Sequence, residues 1–343
     1  MKTIKHKNIP IFIPHLGCPN TCVFCNQRSI SGKQSFCREK VREEIESALA
    51  TLSPDSEVEI AYFGGSFTGI DRDLMVYLLD LAKEYVDRAE SGRARVSGIR
   101  MSTRPDYIDG EIMEILARYP VRTVELGLQS MDDGILARAK RGHTAKQAED
   151  ACRMIKDAGY QLVGQMMIGL PDSSLEKEIE TAKRISALGA DGARIYPTVT
   201  FYDTELAEMA KRGEYRMLDT ADAVLRSKEV LKVFEANGVE CIRIGLCSSD
   251  NLGDPKTVMG GANHPALGEL VIGELYYDKM RALLTEQSAL RGGTVCFFVP
   301  RGDTSKAIGQ GGRNRSRLCE EFALKKMLVK ETDLSEITLA DDQ

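Results

Sequence analysis

Residues 161–196, QLVGQMMIGLPDSSLEKEIETAKRISALGADGARIY, decide the fold. Gln161–Ile168 is an apolar run of strand length that stops at Gly169-Leu170-Pro171. Leu175–Leu188 then repeats apolar residues at helical spacing, and Gly192–Tyr196 is a second strand-like run. A strand, a helix and a further strand make a βαβ unit, whose crossover sets the two strands parallel. Pro171-Asp172-Ser173-Ser174 marks the helix start, with Ser173 or Ser174 placed to cap its first amides.

The same alternation runs back to the N-terminus. Strands are expected at Ile9–Pro14, Val58–Phe63, Gly98–Thr103 and Arg122–Gly127, and helices at Glu39–Leu52, Leu74–Arg88, Gly110–Arg118 and Ala145–Ala158. Six units by Tyr196 fit a doubly wound sheet or a partial barrel. No GxGxxG follows the first strand, so the dinucleotide-binding form loses ground. The expected class is therefore α/β, a partial (βα)6 TIM-type barrel over residues 1–246, with a small α+β C-terminal extension over 247–343. Beyond Tyr196 come helices Thr204–Arg212 and Thr220–Asn237 and a strand Glu240–Leu246. The Gly- and Asn-rich stretch Ser248–Asn263 reads as loop. A last unit has a helix Glu269–Leu284, a strand Thr294–Val299, a glycine-rich turn and a helix Arg313–Met327.

At 343 residues, 43% hydrophobic and 28% charged, the chain has the composition of an ordinary globular protein rather than a disordered or fibrous one. No apolar run is long enough to span a bilayer, and the N-terminal residues lack a signal-type apolar segment. A cytoplasmic protein without a membrane partner is expected. Nine cysteines are too few for a disulfide scaffold of this length and point to thiols used as ligands. The formal charge is −5, yet Arg291–Lys330 carries a net +6, leaving −11 on the rest. A basic segment on an acidic body suggests an anionic partner at that end.

The strongest chemical signal is His15-Leu16-Gly17-Cys18-Pro19-Asn20-Thr21-Cys22-Val23-Phe24-Cys25. Three cysteines at Cx3Cx2C can reach one metal group from a single loop, and thiolates suit iron–sulfur or zinc. Structural zinc would want a fourth ligand, which Cys37 or His15 could supply. In barrel-like folds the chemistry lies at the carboxyl ends of the strands. The cysteine loop falls there, as do Gly64-Gly65, Arg104-Pro105, Gln129 and Gly169-Leu170-Pro171.

This loop, with an aromatic residue before its third cysteine, resembles that of the radical S-adenosylmethionine superfamily. The resemblance implies that Cys18, Cys22 and Cys25 hold a 4Fe–4S cluster with one iron left open. That iron would chelate the methionine end of S-adenosylmethionine, and an electron from a donor such as flavodoxin or ferredoxin would release a 5′-deoxyadenosyl radical. It also implies a set of S-adenosylmethionine contacts: Phe24, Gly64 and Gly65, Gln129 at the ribose, Arg141 at the carboxylate, and Gln165 and Ile195 near the adenine. Ser102-Thr103-Arg104-Pro105-Asp106, Glu125–Ser130, Lys140-Arg141-Gly142-His143-Thr144 and Arg194-Ile195-Tyr196-Pro197-Thr198 are similar to the radical domain of the Elongator catalytic subunit, over about Ile9 to Leu246. That family modifies the wobble uridine of tRNA. The cysteine spacing here is the shorter one, and the resemblance does not extend to that family's acetyltransferase domain, so it does not say whether an acetyl donor or another co-substrate is used.

Near the C-terminus, Ile308-Gly309-Gln310-Gly311-Gly312 follows a strand and opens a basic helix. It resembles the GxxG loop of KH domains, which clamps nucleic-acid backbone. Glycines let the backbone approach phosphates. The resemblance implies RNA, tRNA above all, as partner, held by Lys306, Gly309, Gly312, Arg313, Arg315 and Arg317. Two other readings stay open: the same radical chemistry on a small molecule, and a metal-stabilised RNA-binding protein without catalysis.

Overall fold

The computed structural model describes residues 5–14, 16–18, 22–25, 36–88, 92–246, 252, 254–287 and 291–341. His15, weighed as a ligand, lies outside the described residues. Seven strands form one parallel sheet: β1 (Lys5–Ile13), β2 (Ser56–Gly64), β3 (Arg95–Thr103), β4 (Val121–Gln129), β5 (Gln161–Ile168), β6 (Gly192–Pro197) and β8 (Glu240–Ile244), adjacent in that order. The short β7 (Val199–Phe201) intervenes in the chain but pairs elsewhere. The sheet curls into a half-barrel, with its helices on the convex side.

The helices follow the expected periods. Among them are α1 (Val41–Thr51), α2 (Arg72–Asp87), α3 (Gly110–Leu116), α4 (Asp133–Arg138), α5 (Ala145–Asp157), α6 (Leu175–Ala187), α7 (Glu205–Lys211) and α8 (Thr220–Ala236). Ser174 is the residue that caps α6, accepting from the Lys177 amide. Thr144 and Gln147 make a reciprocal capping box on α5.

Alternate residues of each strand divide the sheet into two faces. Ile60 and Tyr62, Ile99 and Met101, Val124 and Leu126, Leu162 and Met166, and Ile195 enter the core under the helices. The intervening residues face the concave side, and there the sheet is polar. Arg100 donates to Glu59 at 2.9 Å and to Glu125 at 2.8 Å. Arg194 grips Glu125 with both prongs of its fork, at 2.8 and 2.9 Å, and the Gln165 amide donates to Glu125 at 2.8 Å. Burial pushes the Glu125 carboxyl up, but Arg194 and Arg100 outweigh it and hold the group below the usual carboxylate range. A buried carboxylate is tolerated where its lone pairs are filled by cations in this way.

The segment after β8 differs from its expected loop. β9 (Val258–Gly261) pairs antiparallel with β7, Val199 opposite Gly261. The helix α9 (Leu267–Glu286) then buries Leu267, Val271 and Leu275 in the barrel core and Tyr277, Met280 and Leu284 in a second, smaller core. One helix thus belongs to both units, and the second core starts well beyond residue 246.

The C-terminal unit is a three-stranded sheet, β10 (Thr294–Pro300) between parallel β11 (Lys326–Thr332) and antiparallel β12 (Thr338–Asp341). Two short helices, α10 (Thr304–Ile308) and α11 (Arg313–Glu321), flank the glycine turn. The expected helix to Met327 therefore ends six residues early. The Ala323 backbone turns left-handed at φ +54°, Leu324 donates back to the Cys319 carbonyl, and Met327 enters β11 to pair with Val295. Among the described residues no helix is long and apolar enough to cross a membrane.

Candidate active site

The cysteine loop leaves β1 at the carboxyl edge of the sheet and is clasped from two sides. The Ser66 amide donates to the Leu16 carbonyl at 3.0 Å and the Gly65 amide to Ile13 at 2.7 Å. On the other side the Val23 amide donates to the Ala139 carbonyl, and the Leu206 amide to Val23. Glycine is required where the two loops meet. A Cβ on Gly65 would lie 2.0 Å from the Leu16 carbonyl oxygen, and one on Gly17, at φ +74°, would lie 2.2 Å from that of Ser66. The glycine pair after β2 is therefore a close approach of backbone to the cysteine loop as well as a turn. Val23 and the flank of Phe24 pack against Ile135, Leu170, Leu206 and Met209, fixing the loop's far end.

Cys22 is buried, while Cys18 and Cys25 are half-buried. Burial pushes the Cys18 thiol up, against the pull of Arg141 and Arg104. No three His, Cys, Asp or Glu side chains among the described residues converge on one ion.

Arg141 sits directly over the thiols. Its Nη1 donates to Cys22 Sγ at 3.4 Å and its Nη2 to the Gly127 carbonyl at 2.7 Å. Gly127 makes room for it, since a Cβ there would lie 2.7 Å from Arg141 Nη2 and 2.9 Å from Gln129 Nε2. Gln129 closes β4 with a left-handed backbone, φ +65°, which turns its side chain into the same space.

Beside them lies a second, largely buried polar group, formed by Arg104, Asp106 and His143. Arg104 follows β3, and its fork takes Asp106 at 2.9 and 2.7 Å. His143 is buried with Nδ1 4.0 Å from Asp106 Oδ1, outside hydrogen-bond reach. Burial first, then the Arg141 charge, hold the imidazole down to about 4, so it is neutral at physiological pH. His143 caps no helix, because Thr144 does. The signal available was position: Arg104-Pro105-Asp106 stands just past a strand end, where such folds keep their chemistry.

Eight buried side-chain polar atoms among the described residues lack a partner, and five are here: Arg104 Nη1, Gln129 Oε1, Arg141 Nε and both ring nitrogens of His143. Buried polar atoms are ordinarily satisfied, so this concentration marks space shaped for a polar ligand. Three thiols beside two guanidinium groups, with an orphaned amide carbonyl at the rim, suit an iron–sulfur cluster with a carboxylate- and hydroxyl-bearing cofactor.

The other expected contacts are spread differently. Gln165 has its amide nitrogen committed to Glu125 and, at 3.3 Å, to Ser102, so its carbonyl oxygen is the atom left for a ligand. Ile195 is buried in the core on the helix side of the sheet, opposite to Arg194.

In the C-terminal unit, Gly309 and Gly312 bracket the turn between α10 and α11. Gly309 is structural: at φ +77° a Cβ would meet Asn314, whose buried amide donates to Gly273 at 2.7 Å and Ala307 at 3.2 Å. Gly311 and Gly312 face open space. Arg313 and Arg315 are exposed, Arg313 lying 3.9 Å from Glu274, and Lys306 pairs with Asp303. Arg317 pairs with Glu274 and stacks 3.6 Å over the Tyr277 ring.

Comparison with known proteins agrees with this geometry. The family model described as the radical SAM superfamily matches residues 12–185, and a radical SAM C-terminal domain model matches 190–277. An uncharacterized protein of Methanocaldococcus jannaschii is 32% identical over 235 residues, covering 64% of this chain and 69% of that one. The tRNA uridine(34) acetyltransferase of Methanocaldococcus infernus is 27% identical over 248 residues, covering 68% of this chain and 45% of that one. Human Elongator complex protein 3 is 26% identical over 247 residues, 62% and 45% of the two chains. The chain thus spans less than half the length of these last two relatives. Among solved structures, M. infernus Elp3 lacking its N-terminus superposes with a TM-score of 0.60 at 21% identity, covering 81% of this chain and 64% of that one. The superfamily model spans residues 12–185, half of the chain and the stretch that holds the three thiols, Arg104 and Arg141, so the chain belongs to the radical S-adenosylmethionine superfamily.

Proposed function

We propose that this enzyme uses S-adenosylmethionine and a 4Fe–4S cluster on Cys18, Cys22 and Cys25 to modify RNA, with tRNA as the favoured substrate. Bound together, the two groups supply a 5′-deoxyadenosyl radical, and the protein's part is orientation and exclusion of side reactions. The observation that carries the reading is Arg141, held by the Gly127 carbonyl with its guanidinium against Cys22. A guanidinium fixed there meets a carboxylate bound next to the thiols. Gln129 Oε1, buried and unpartnered, is an acceptor for a ribose hydroxyl. Gly64 and Gly65 present backbone carbonyls to an amino group, Phe24 lines the cluster loop, and Gln165 borders the adenine, whereas Ile195, buried on the helix side of the sheet, stands behind that face.

The RNA arm of the reading is supported by the helix–GxxG–helix geometry of α10 and α11 and by the names of the tRNA-modifying relatives. Arg313, Arg315 and the open Gly312 edge would take phosphates, while Lys306 and Arg317 contribute from the flank once their internal partners are displaced. A low-potential flavodoxin or ferredoxin would deliver the electron.

The test is tRNA affinity against salt for the intact protein. A steep fall in affinity with salt, weakened by Gly311→Asp and by Arg315→Ala at unchanged melting temperature, supports RNA as partner. Salt-independent or absent binding by a cluster-loaded protein that still cleaves S-adenosylmethionine moves the substrate to a small molecule.

A further inference from the structure

Arg104 is buried beside the cluster cysteines, yet it makes no contact that the S-adenosylmethionine reading requires. Two of its nitrogens are held by Asp106, which leaves Nη1 as a buried donor with no partner. Its backbone is fixed as well: the Arg104 amide donates to Ser66 Oγ at 3.0 Å, and Ser66 is the residue against which Gly17, the neighbour of Cys18, is packed. Thr103, Thr68 and the Tyr107 carbonyl complete the brace, through hydroxyl contacts of 2.7 Å each. The guanidinium is therefore a charge in a rigid setting at the edge of the cysteine loop.

We propose that Arg104, a buried cation with a free Nη1, raises the reduction potential of the cluster, and that Asp106 positions it and offsets its charge. Reduction adds one electron to a group already made anionic by three thiolates, and a fixed cation stabilises the reduced form more than the oxidised one. Asp106 opposes this, so the two side chains shift the potential in opposite directions about the value set with Arg141 in place at Cys22. His143 is buried nearby with Nδ1 4.0 Å from Asp106, outside hydrogen-bond reach.

The inference rests on the three-cysteine cluster reading and makes a prediction of sign. Removing the cation in Arg104→Gln must make the cluster harder to reduce, whereas removing the anion in Asp106→Asn must make it easier. Damage to the loop would not move the two variants in opposite directions. The experiment is an electron paramagnetic resonance redox titration of anaerobically reconstituted protein, without S-adenosylmethionine, using dithionite and low-potential mediators. Arg104→Gln is expected to lower the reduced-to-oxidised ratio at a fixed potential about tenfold, which is about 59 mV for one electron. Asp106→Asn is expected to raise the ratio, and Arg104→Lys to recover most of the loss.

Shifts of the same sign, or no shift in iron-loaded variants, overturn the proposal. Should Arg104→Gln fail to assemble the cluster, Asp106→Asn decides alone, a rise supporting the proposal and no rise overturning it. A wild-type protein that binds no iron and gives no reduced-cluster signal instead removes the reading on which the inference stands.

Discussion

Gly127→Ala tests the role of Arg141 without replacing it, displacing the neighbouring Gln129 as well. Gly127 lies within β4 and its backbone is not left-handed, so alanine is conformationally acceptable there. The added methyl would lie 2.7 Å from Arg141 Nη2 and 2.9 Å from Gln129 Nε2, and both are ends of flexible side chains that can swing away. The strand therefore survives, and the guanidinium leaves the Gly127 carbonyl and Cys22. A hydrogen bond to a charged group is worth roughly 1.5–3 kcal/mol, and about 1.4 kcal/mol is a factor of ten in affinity. The Kd for S-adenosylmethionine should rise about ten- to a hundredfold, measured by calorimetry on the cluster-loaded protein. Iron content should match the wild type, and the melting temperature should move by only a few degrees. An unchanged Kd at full iron loading would refute the assignment of Arg141 to the bound carboxylate.

Three further outcomes follow from the packing. Gly65→Ala drives a Cβ to 2.0 Å from a backbone oxygen that cannot swing aside, so the two loops must part, and iron per chain after reconstitution should fall well below that of the wild type. Glu125→Ala strands Arg100 and Arg194 in the concave face without their shared anion and should cost about 3–5 kcal/mol in denaturant unfolding, whereas Glu84→Ala, which removes an exposed partner of Arg42, should cost under about 1 kcal/mol. His143 is pulled from 6.5 down to about 4 in the folded chain, so it adds stability that is fully present above pH 6.5 and is lost as pH falls towards 4. Between pH 6.5 and 5 the apo-protein should lose on the order of 2 kcal/mol that His143→Gln does not lose, a difference read from urea curves at the two pH values.

The half-barrel was legible because its strands and helices bury one side each. Gln161–Ile168 and Leu175–Ala187 carry the periods of buried sheet and amphipathic helix, and Cx3Cx2C announces its chemistry by spacing. The strands that escaped lack such a pattern. Val258-Met259-Gly260-Gly261 is half glycine, and Lys326–Thr332 alternates at only a few positions because it is an exposed edge strand. The polar concave face was hidden for a different reason. Arg100, Glu125 and Arg194 lie on separate strands, far apart in the chain, and only the parallel register brings their charges together. The Arg104–Asp106 pair was visible as residues past a strand end, but its orphaned Nη1 is a property of packing.

Formation of 5′-deoxyadenosine by the anaerobically reconstituted protein, with dithionite and S-adenosylmethionine, tests the central claim most directly. Product from the wild type, raised by added tRNA and abolished in Cys18→Ala, Cys22→Ala and Cys25→Ala, is the predicted result. A Cys22→Ala protein that still loads four irons and forms the product would contradict it.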